Sequence, residues 1–301
     1  MERCNDAHLT QAGLMPCTFI HIPGPNPILT PGQPGTWDDG VIESCDILKD
    51  HDTYWLYYHG TSSRTGYQIG VATAPHPLGP WEKRGTAPVL ALGPEGSWDE
   101  RGVACAAIIK EGLDRYYMWY SGLAEDQGAR WGIGLATADN PLGPWHKHRG
   151  NPILPDCGYV GGVVKVGGKY HMYCEHPIGS TGADYGPISL AVADAPEGSW
   201  LRHEGGPVLT QGEWGQWDDG GFSEAKVVRS GDVYHLFYGG AKLHPTRILS
   251  RESIGYAWSL DGLRFHKHPA NPVAPREANP DAAAFAEVHA YHETPFWYLY
   301  H

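Results

Sequence analysis

Apolar and polar residues alternate in short runs along almost the whole chain, and the runs recur. Four segments are copies of one unit: IGVATAPHPLGPWEKRGTAPVL (Ile69–Leu90), IGLATADNPLGPWHKHRGNPIL (Ile133–Leu154), ISLAVADAPEGSWLRHEGGPVL (Ile188–Leu209) and IGYAWSLDGLRFHKHPANPVA, which begins at Ile254. Each holds an alternating strand, a Pro/Gly turn, an aromatic residue and a second strand that ends near a proline, which predicts an outer hairpin. A strand pair precedes each hairpin, at Gly40–Gly60, Gly102–Gly122, Tyr159–His176 and Gly220–Gly240, and a fifth pair ends the chain at Ala284–His301. The first strand of each pair is built of small apolar residues, as a crowded innermost strand needs. The second carries aromatic residues at alternate positions, as a strand packed between neighbouring sheets needs.

Five inner pairs and four outer hairpins leave one sheet incomplete. The segment Phe19–Leu29, FIHIPGPNPIL, matches the last strand of the unit, FHKHPANPVA. An N-terminal strand is therefore expected to complete the last sheet and close a ring, which removes exposed sheet edges. The pattern predicts an all-β fold: a five-bladed β-propeller of four-stranded antiparallel blades, with residues 1–301 forming a single domain. No segment has helical periodicity.

Composition supports this picture. Forty glycines and 25 prolines suit many short strands joined by turns. A net charge of −12, with no basic cluster, argues against a nucleic-acid partner. Twelve tryptophans and 17 tyrosines suit both β-cores and the C–H faces of sugar rings. The six cysteines, at positions 4, 17, 45, 105, 157 and 174, include no C-x-x-C pair, and Cys45 and Cys105 are expected as buried thiols in strands. Met1 to Phe19 contains no long apolar run, so neither a signal peptide nor a membrane span is expected, and the expected location is the cytoplasm.

The strand pattern G-(V/F)-x-(D/E)-x-x-(V/I)-(I/V) followed by (D/G)-x-Y-Y-L-x-Y, and then I-G-x-A-x-A…G-P-W, resembles the five-bladed propeller glycoside hydrolases. These are families 43, 62, 117 and 130, and the related families 32 and 68. The resemblance covers the whole chain. The N-D-P-N-G start and R-D-P motif of families 32 and 68 are missing. The resemblance implies a substrate laid over one end of the central channel, with acidic residues near the start of the innermost strands. It implies an oligosaccharide or polysaccharide fragment as partner. No cofactor is required, and a structural Ca²⁺ in the channel is one option.

Glycoside hydrolysis needs a carboxylic acid to protonate the leaving oxygen and a carboxylate to activate water or attack the sugar. Aligning inner strands on their apolar pairs, Ile47-Leu48 and Val227-Val228, brings Glu43, Glu224 and Glu287 to nearly the same place. A glutamate among small apolar residues is costly unless paired or used. Glu224, flanked by Phe222 and Ala225, is expected to be the general acid, and Glu43, or failing it Asp39, the base. The alternative is a glutamate held by channel cations or backbone donors. A second set precedes the strands in T-W-D-D-G, S-W-D-E-R and Q-W-D-D-G. There Asp38, Asp99 and Asp218 are expected to cap turns, while Asp39, Glu100 and Asp219 are candidates to face the pocket, with Trp37 as a sugar contact. His176 and His289 are candidates to line the channel, bind hydroxyls or ligate an ion. Lys226, two residues from Glu224, shares its face on a regular strand. The function expected is an exo-acting, inverting glycosidase. The alternatives are a phosphorylase of family 130 type and a non-catalytic sugar-binding propeller.

Overall fold

The computed structural model describes residue 19 and residues 27–124, 131–175, 186–242, 253–275 and 288–301. It is all-β, with no helix among those residues. Four antiparallel four-stranded sheets follow one another in chain order. The first comprises β1 (Ile42–Asp50), β2 (Thr53–Ser62), β3 (Thr65–Ala74) and β4 (Glu82–Lys83). The second comprises β5 (Gly102–Glu111), β6 (Arg115–Leu123), β7 (Trp131–Ala138) and β8 (His146–Lys147). The third comprises β9 (Val160–Val166), β10 (Lys169–Glu175), β11 (Ile188–Ala193) and β12 (Leu201–Arg202). The fourth comprises β13 (Gly221–Ser230), β14 (Val233–Ala241), β15 (Ser253–Ser259) and β16 (His266–Lys267). The repeated outer unit closes on itself as its sequence implies: single bridges join Ile69 to Leu90, Ile133 to Leu154, Ile188 to Leu209 and Ile254 to Ala274.

A two-stranded sheet, β17 (His289–Glu293) and β18 (Phe296–Tyr300), completes the described chain. It packs between the fourth blade and the first. Val288, Ala290 and Trp297 join a core with Phe237 and Tyr256, while Tyr300 joins Leu56 and Trp81. Inner strands β1, β5, β9, β13 and β17 touch in that order, and β17 touches β1. Buried tyrosines tie three of the junctions between sheets: Tyr57 donates to Pro141 O (2.7 Å), Tyr173 to Gly262 O (2.9 Å) and Tyr300 to Pro77 O (2.8 Å). Of the N-terminal segment expected to close the ring, residues 20–26 lie outside the described residues. At its ends Phe19 meets Phe237 edge-on at 6.0 Å, and Ile28 and Leu29 pack on the core of the first blade.

The recurrent Trp-Asp pairs organise three blades. Asp38, Asp99 and Asp218 are buried. Their carboxylates accept from a lysine of the fourth strand: Lys83 (2.5 Å), Lys147 (2.6 Å) and Lys267 (2.5 Å). They also accept from a tyrosine of the second strand: Tyr58 (3.0 Å), Tyr120 (3.1 Å) and Tyr238 (3.4 Å). Burial disfavours the charged form of Asp38, but Lys83, Thr36 and Tyr58 outweigh it and hold the carboxyl below its usual range. The G of the I-G-x-A motif serves these tyrosines. A Cβ on Gly70, Gly134 or Gly255 would lie 2.5, 2.8 or 2.4 Å from the ring of Tyr58, Tyr120 or Tyr238.

One buried histidine gives the fold a pH dependence. Burial pushes His235 on β14 down from 6.5 to about 4, with His292 nearby acting in the same direction. Its Nδ1 lies 2.9 Å from the Tyr256 hydroxyl. A histidine depressed in the fold takes its proton more readily when unfolded. Its stabilisation is therefore complete above about pH 6.5 and falls away as pH drops toward 4, a loss of about 3 kcal/mol. Urea midpoints measured across that interval should fall with pH, and His235→Gln should flatten the fall. A flat profile in the parent protein would contradict this.

Candidate active site

The ring has two ends. At one of them β1, β5, β9 and β13 begin, and there each strand carries a bulge. Pairing slips between Ser44 and Asp46 on β1, between Ala104 and Ala107 on β5, and between Ser223 and Ala225 on β13. On β9 it slips across Gly161. A bulge inserts an unpaired residue and turns side chains off the regular alternation, a device common beside active sites. At Cys105 the backbone is left-handed, with φ of 52°, which is costly for a residue with a side chain.

Glu43 stands at this mouth, opposite His59 in the β1–β2 register. The Cys105 backbone N–H points at His59 Nδ1 (3.3 Å), so the ring proton sits on Nε2, which donates to Glu43 Oε2 at 2.5 Å. The histidine is buried at 3% side-chain exposure, while Glu43 keeps 28%. A carboxylate with one oxygen anchored by a neutral imidazole, and still reachable by solvent, is built to accept a proton or orient water. Tyr67 on β3 abuts the His59 ring edge-on at 4.9 Å. Across the mouth, Trp131 and Tyr159 form a half-buried aromatic pair with centroids 4.7 Å apart.

Glu224 is the residue skipped by the β13 bulge, so it and Lys226 do not follow the simple two-residue alternation of a regular strand. Glu287 and His176 lie outside the described residues.

One layer below the mouth, the inner strands present register-equivalent residues at the axis. They are Asp46 opposite Tyr57, Ala107 opposite Trp119, Gly162 opposite Tyr173, Lys226 opposite Phe237 and His289 opposite Tyr300. Three of these meet. Lys226 Nζ lies 2.8 Å from Asp46 Oδ2, and His289 Nε2 lies 3.3 Å from Asp46 Oδ1. Asp46 also accepts from the backbone N–H of Ile47 and of Ile108, each at 2.8 Å. Gly162 lets the neighbouring inner strand approach closely: a Cβ there would lie 3.1 Å from Val227 N and 3.2 Å from Val227 O. Calcium takes about six to eight oxygen ligands. Among the described residues this layer offers one carboxylate, already engaged by an ammonium and two amides, and these residues do not fit that ion.

The other acidic candidates close turns. Asp39 Oδ2 accepts the Gly35 N–H (2.6 Å), Glu100 Oε2 the Gly96 N–H (2.5 Å) and Asp219 Oδ2 the Gly215 N–H (2.7 Å). A bond repeated in three blades serves the blades rather than one pocket. Trp37 stacks on Tyr58, with centroids 5.8 Å apart and 18° between planes, as Trp217 does on Tyr238. A cavity of about 270 Å³ opens at the opposite end of the ring, where Asp50 is bound by Lys110 and the Tyr116 hydroxyl.

Sequence reasoning passed over His59 and Asp46. His59 was visible as the one histidine directly opposite an inner-strand glutamate. Asp46 was visible as the residue immediately before the apolar pair used for alignment, where Lys226 also falls.

No protein-family model matches the chain, and no curated protein sequence matches it. Solved structures do. A Bacteroides ovatus protein described as a candidate glycoside hydrolase is 18% identical, with a TM-score of 0.67 over 93% of this chain and 90% of that one. A family 117 glycoside hydrolase from the marine bacterium Zobellia galactanivorans is 18% identical, with a TM-score of 0.57 over 79% and 72%. The catalytic domain of a family 62 α-L-arabinofuranosidase from Coprinopsis cinerea is 11% identical, with a TM-score of 0.58 over 88% and 81%. At these identities the likeness is one of fold, a β-propeller shared with glycoside hydrolases.

Proposed function

We propose that this chain is a glycoside hydrolase, exo-acting and inverting, that works at the mouth where the inner strands begin. The observation that carries the reading is the Glu43–His59 pair: a partly open carboxylate anchored by a neutral imidazole, at one end of a propeller channel. In this reading Glu43 is the base that activates water, and Glu224, on the bulge of β13, is the acid that protonates the leaving oxygen. Asp39 is left out because it closes a turn. Tyr67, Trp131 and Tyr159 offer ring faces to a sugar.

The architecture proposed with it is one domain of five blades. β17 and β18 are the inner strands of the fifth, and the N-terminal segment supplies its outer strand. The tyrosine bond from Tyr300 to Pro77, matching that from Tyr57 to Pro141, supports that reading.

The test is a panel of aryl glycosides and plant and algal oligosaccharides, scored by released reducing sugar for the parent protein and Glu43→Gln. Release by the parent and not by the variant is the expected result. Release by both, or binding without release by the parent, overturns it.

A further inference from the structure

Three blades tie the Trp-Asp carboxylate to a tyrosine of the second strand and a lysine of the fourth, and the third blade has none of these residues. Cys174 on β10 holds the tyrosine register: it pairs with Ser189 as Tyr58 pairs with Gly70, Tyr120 with Gly134 and Tyr238 with Gly255. Two exchanges go together here. The bulky tyrosine is gone, and so is the glycine that its ring demands. Arg202 on β12 holds the lysine register, opposite Ala191 as Lys83 is opposite Ala72. Its guanidinium donates to the carbonyls of Pro155 (3.4 Å) and Asp156.

Where the other blades place their aspartate against the tyrosine, this blade places Cys157 against Cys174. The sulfurs are 2.7 Å apart, and both residues are buried, at 0% and 2% exposure. The Cys174 sulfur beside it, together with burial, pushes the Cys157 thiol well above its usual range, so in the fold the Cys157 thiol is protonated and a poor nucleophile. We infer that Cys157 and Cys174 are a disulfide site, and that the bond replaces the aspartate–tyrosine–lysine tie of the other blades. The oxidant is a small-molecule disulfide. Each cysteine gives up its hydrogen as the Cys157–Cys174 bond forms, and the oxidant's own S–S bond breaks to leave two thiols. Because the pair is closed to solvent, exchange takes place during folding or through local opening.

The bond would span 17 positions and fix the entry to β9. There the Gly158 N–H donates to Glu175 O (3.2 Å) and the Glu175 N–H to Tyr159 O (2.9 Å). It therefore sets Tyr159 at the mouth whatever reaction the mouth performs.

The full chain is refolded with oxidised glutathione, or kept under a phosphine reductant, then denatured in iodoacetamide and peptide-mapped without reduction. The expected result is one cross-linked peptide joining Cys157 to Cys174, lighter by two hydrogens, in the oxidised sample alone. The oxidised protein should also melt higher than the reduced one, by about 5 °C for a loop of this length in a chain of this size, and Cys157→Ala should melt alike in both. Alkylation of both cysteines in the oxidised sample, a bond from either to another cysteine, or an equal reductant effect in Cys157→Ala would overturn the inference.

Discussion

The Glu224→Gln variant should hydrolyse substrates with poor leaving groups about 10²–10⁴-fold more slowly than the parent, the range spanned by losing one general acid. It should lose far less on activated aryl glycosides, whose leaving groups depart without a proton. Glu43→Gln should lose a comparable factor on both, since water must be activated whatever the leaving group. The assignment rests on hydrogen-bond chemistry at the mouth. Glu43 accepts from His59 Nε2, whose other nitrogen faces the Cys105 amide. The bond to His59 engages Oε2 and orients the carboxylate, so that Oε1 is the oxygen placed to take a proton from water. In the proposed reading the acid comes from another strand, and Glu224 is the residue at the bulge of β13. Steady-state rates on a matched pair of substrates decide it. Equal losses for Glu224→Gln on both would remove it from the acid role.

Lys226→Met should destabilise the protein by about 3–5 kcal/mol, the cost of leaving one partner of a buried ion pair uncompensated. Asp46 and Lys226 side chains are 8% and 9% exposed, so water cannot take over the interaction. Asp46→Asn in the same chain should recover part of the loss, because the amide still accepts a backbone N–H without carrying charge. Added calcium should not rescue Lys226→Met, since the layer has one carboxylate to offer. Denaturant midpoints of the four proteins, with and without calcium or chelator, read out both claims. Additive losses from the two substitutions, or rescue by calcium, would show that the pair is not the axial tie.

Much of the architecture was legible because the outer unit repeats its apolar, turn and aromatic positions, and the bridges from Ile69, Ile133, Ile188 and Ile254 fall at the ends of that unit. Asp38, Asp99 and Asp218 were legible as structural for the same reason: a residue that recurs around a ring serves the ring. The site was less legible because bulges leave no trace in a pattern of apolar residues. Glu43 lies four residues before Ile47 and Glu224 three before Val227, a one-residue offset that the register makes explicit: Ser223 is the counterpart of Glu43, since Glu43 faces His59 and Ser223 faces Gly239. The axial layer was hidden for another reason: Asp46, Lys226 and His289 come from three strands far apart in the chain and meet through tertiary packing alone.

At the rim opposite the mouth, a cation at one register bonds an acid from the preceding blade and reaches over a tyrosine. Lys49 does so with Glu293 and Tyr54, Lys110 with Asp50 and Tyr116, and Lys165 with Glu111 and Tyr170. On the fourth blade Arg229 holds that register over Tyr234, but Val166 stands where β9 would carry the acid, and the arginine turns to Asp232 of its own hairpin. The fourth blade is thus riveted at neither of these rim joints, because Ser230 occupies its own acid position. Besides the Tyr173–Gly262 bond and the cores it shares with its neighbours, it is fastened by the Lys226–Asp46 bond through the hub. The ring behaves as a wheel in which one segment lacks the rivets of the tyre and leans on a spoke, and that segment carries Glu224. Amide exchange should run fastest in β13 and β14, so that the blade bearing the proposed acid is also the one with the most freedom to adjust to what it holds.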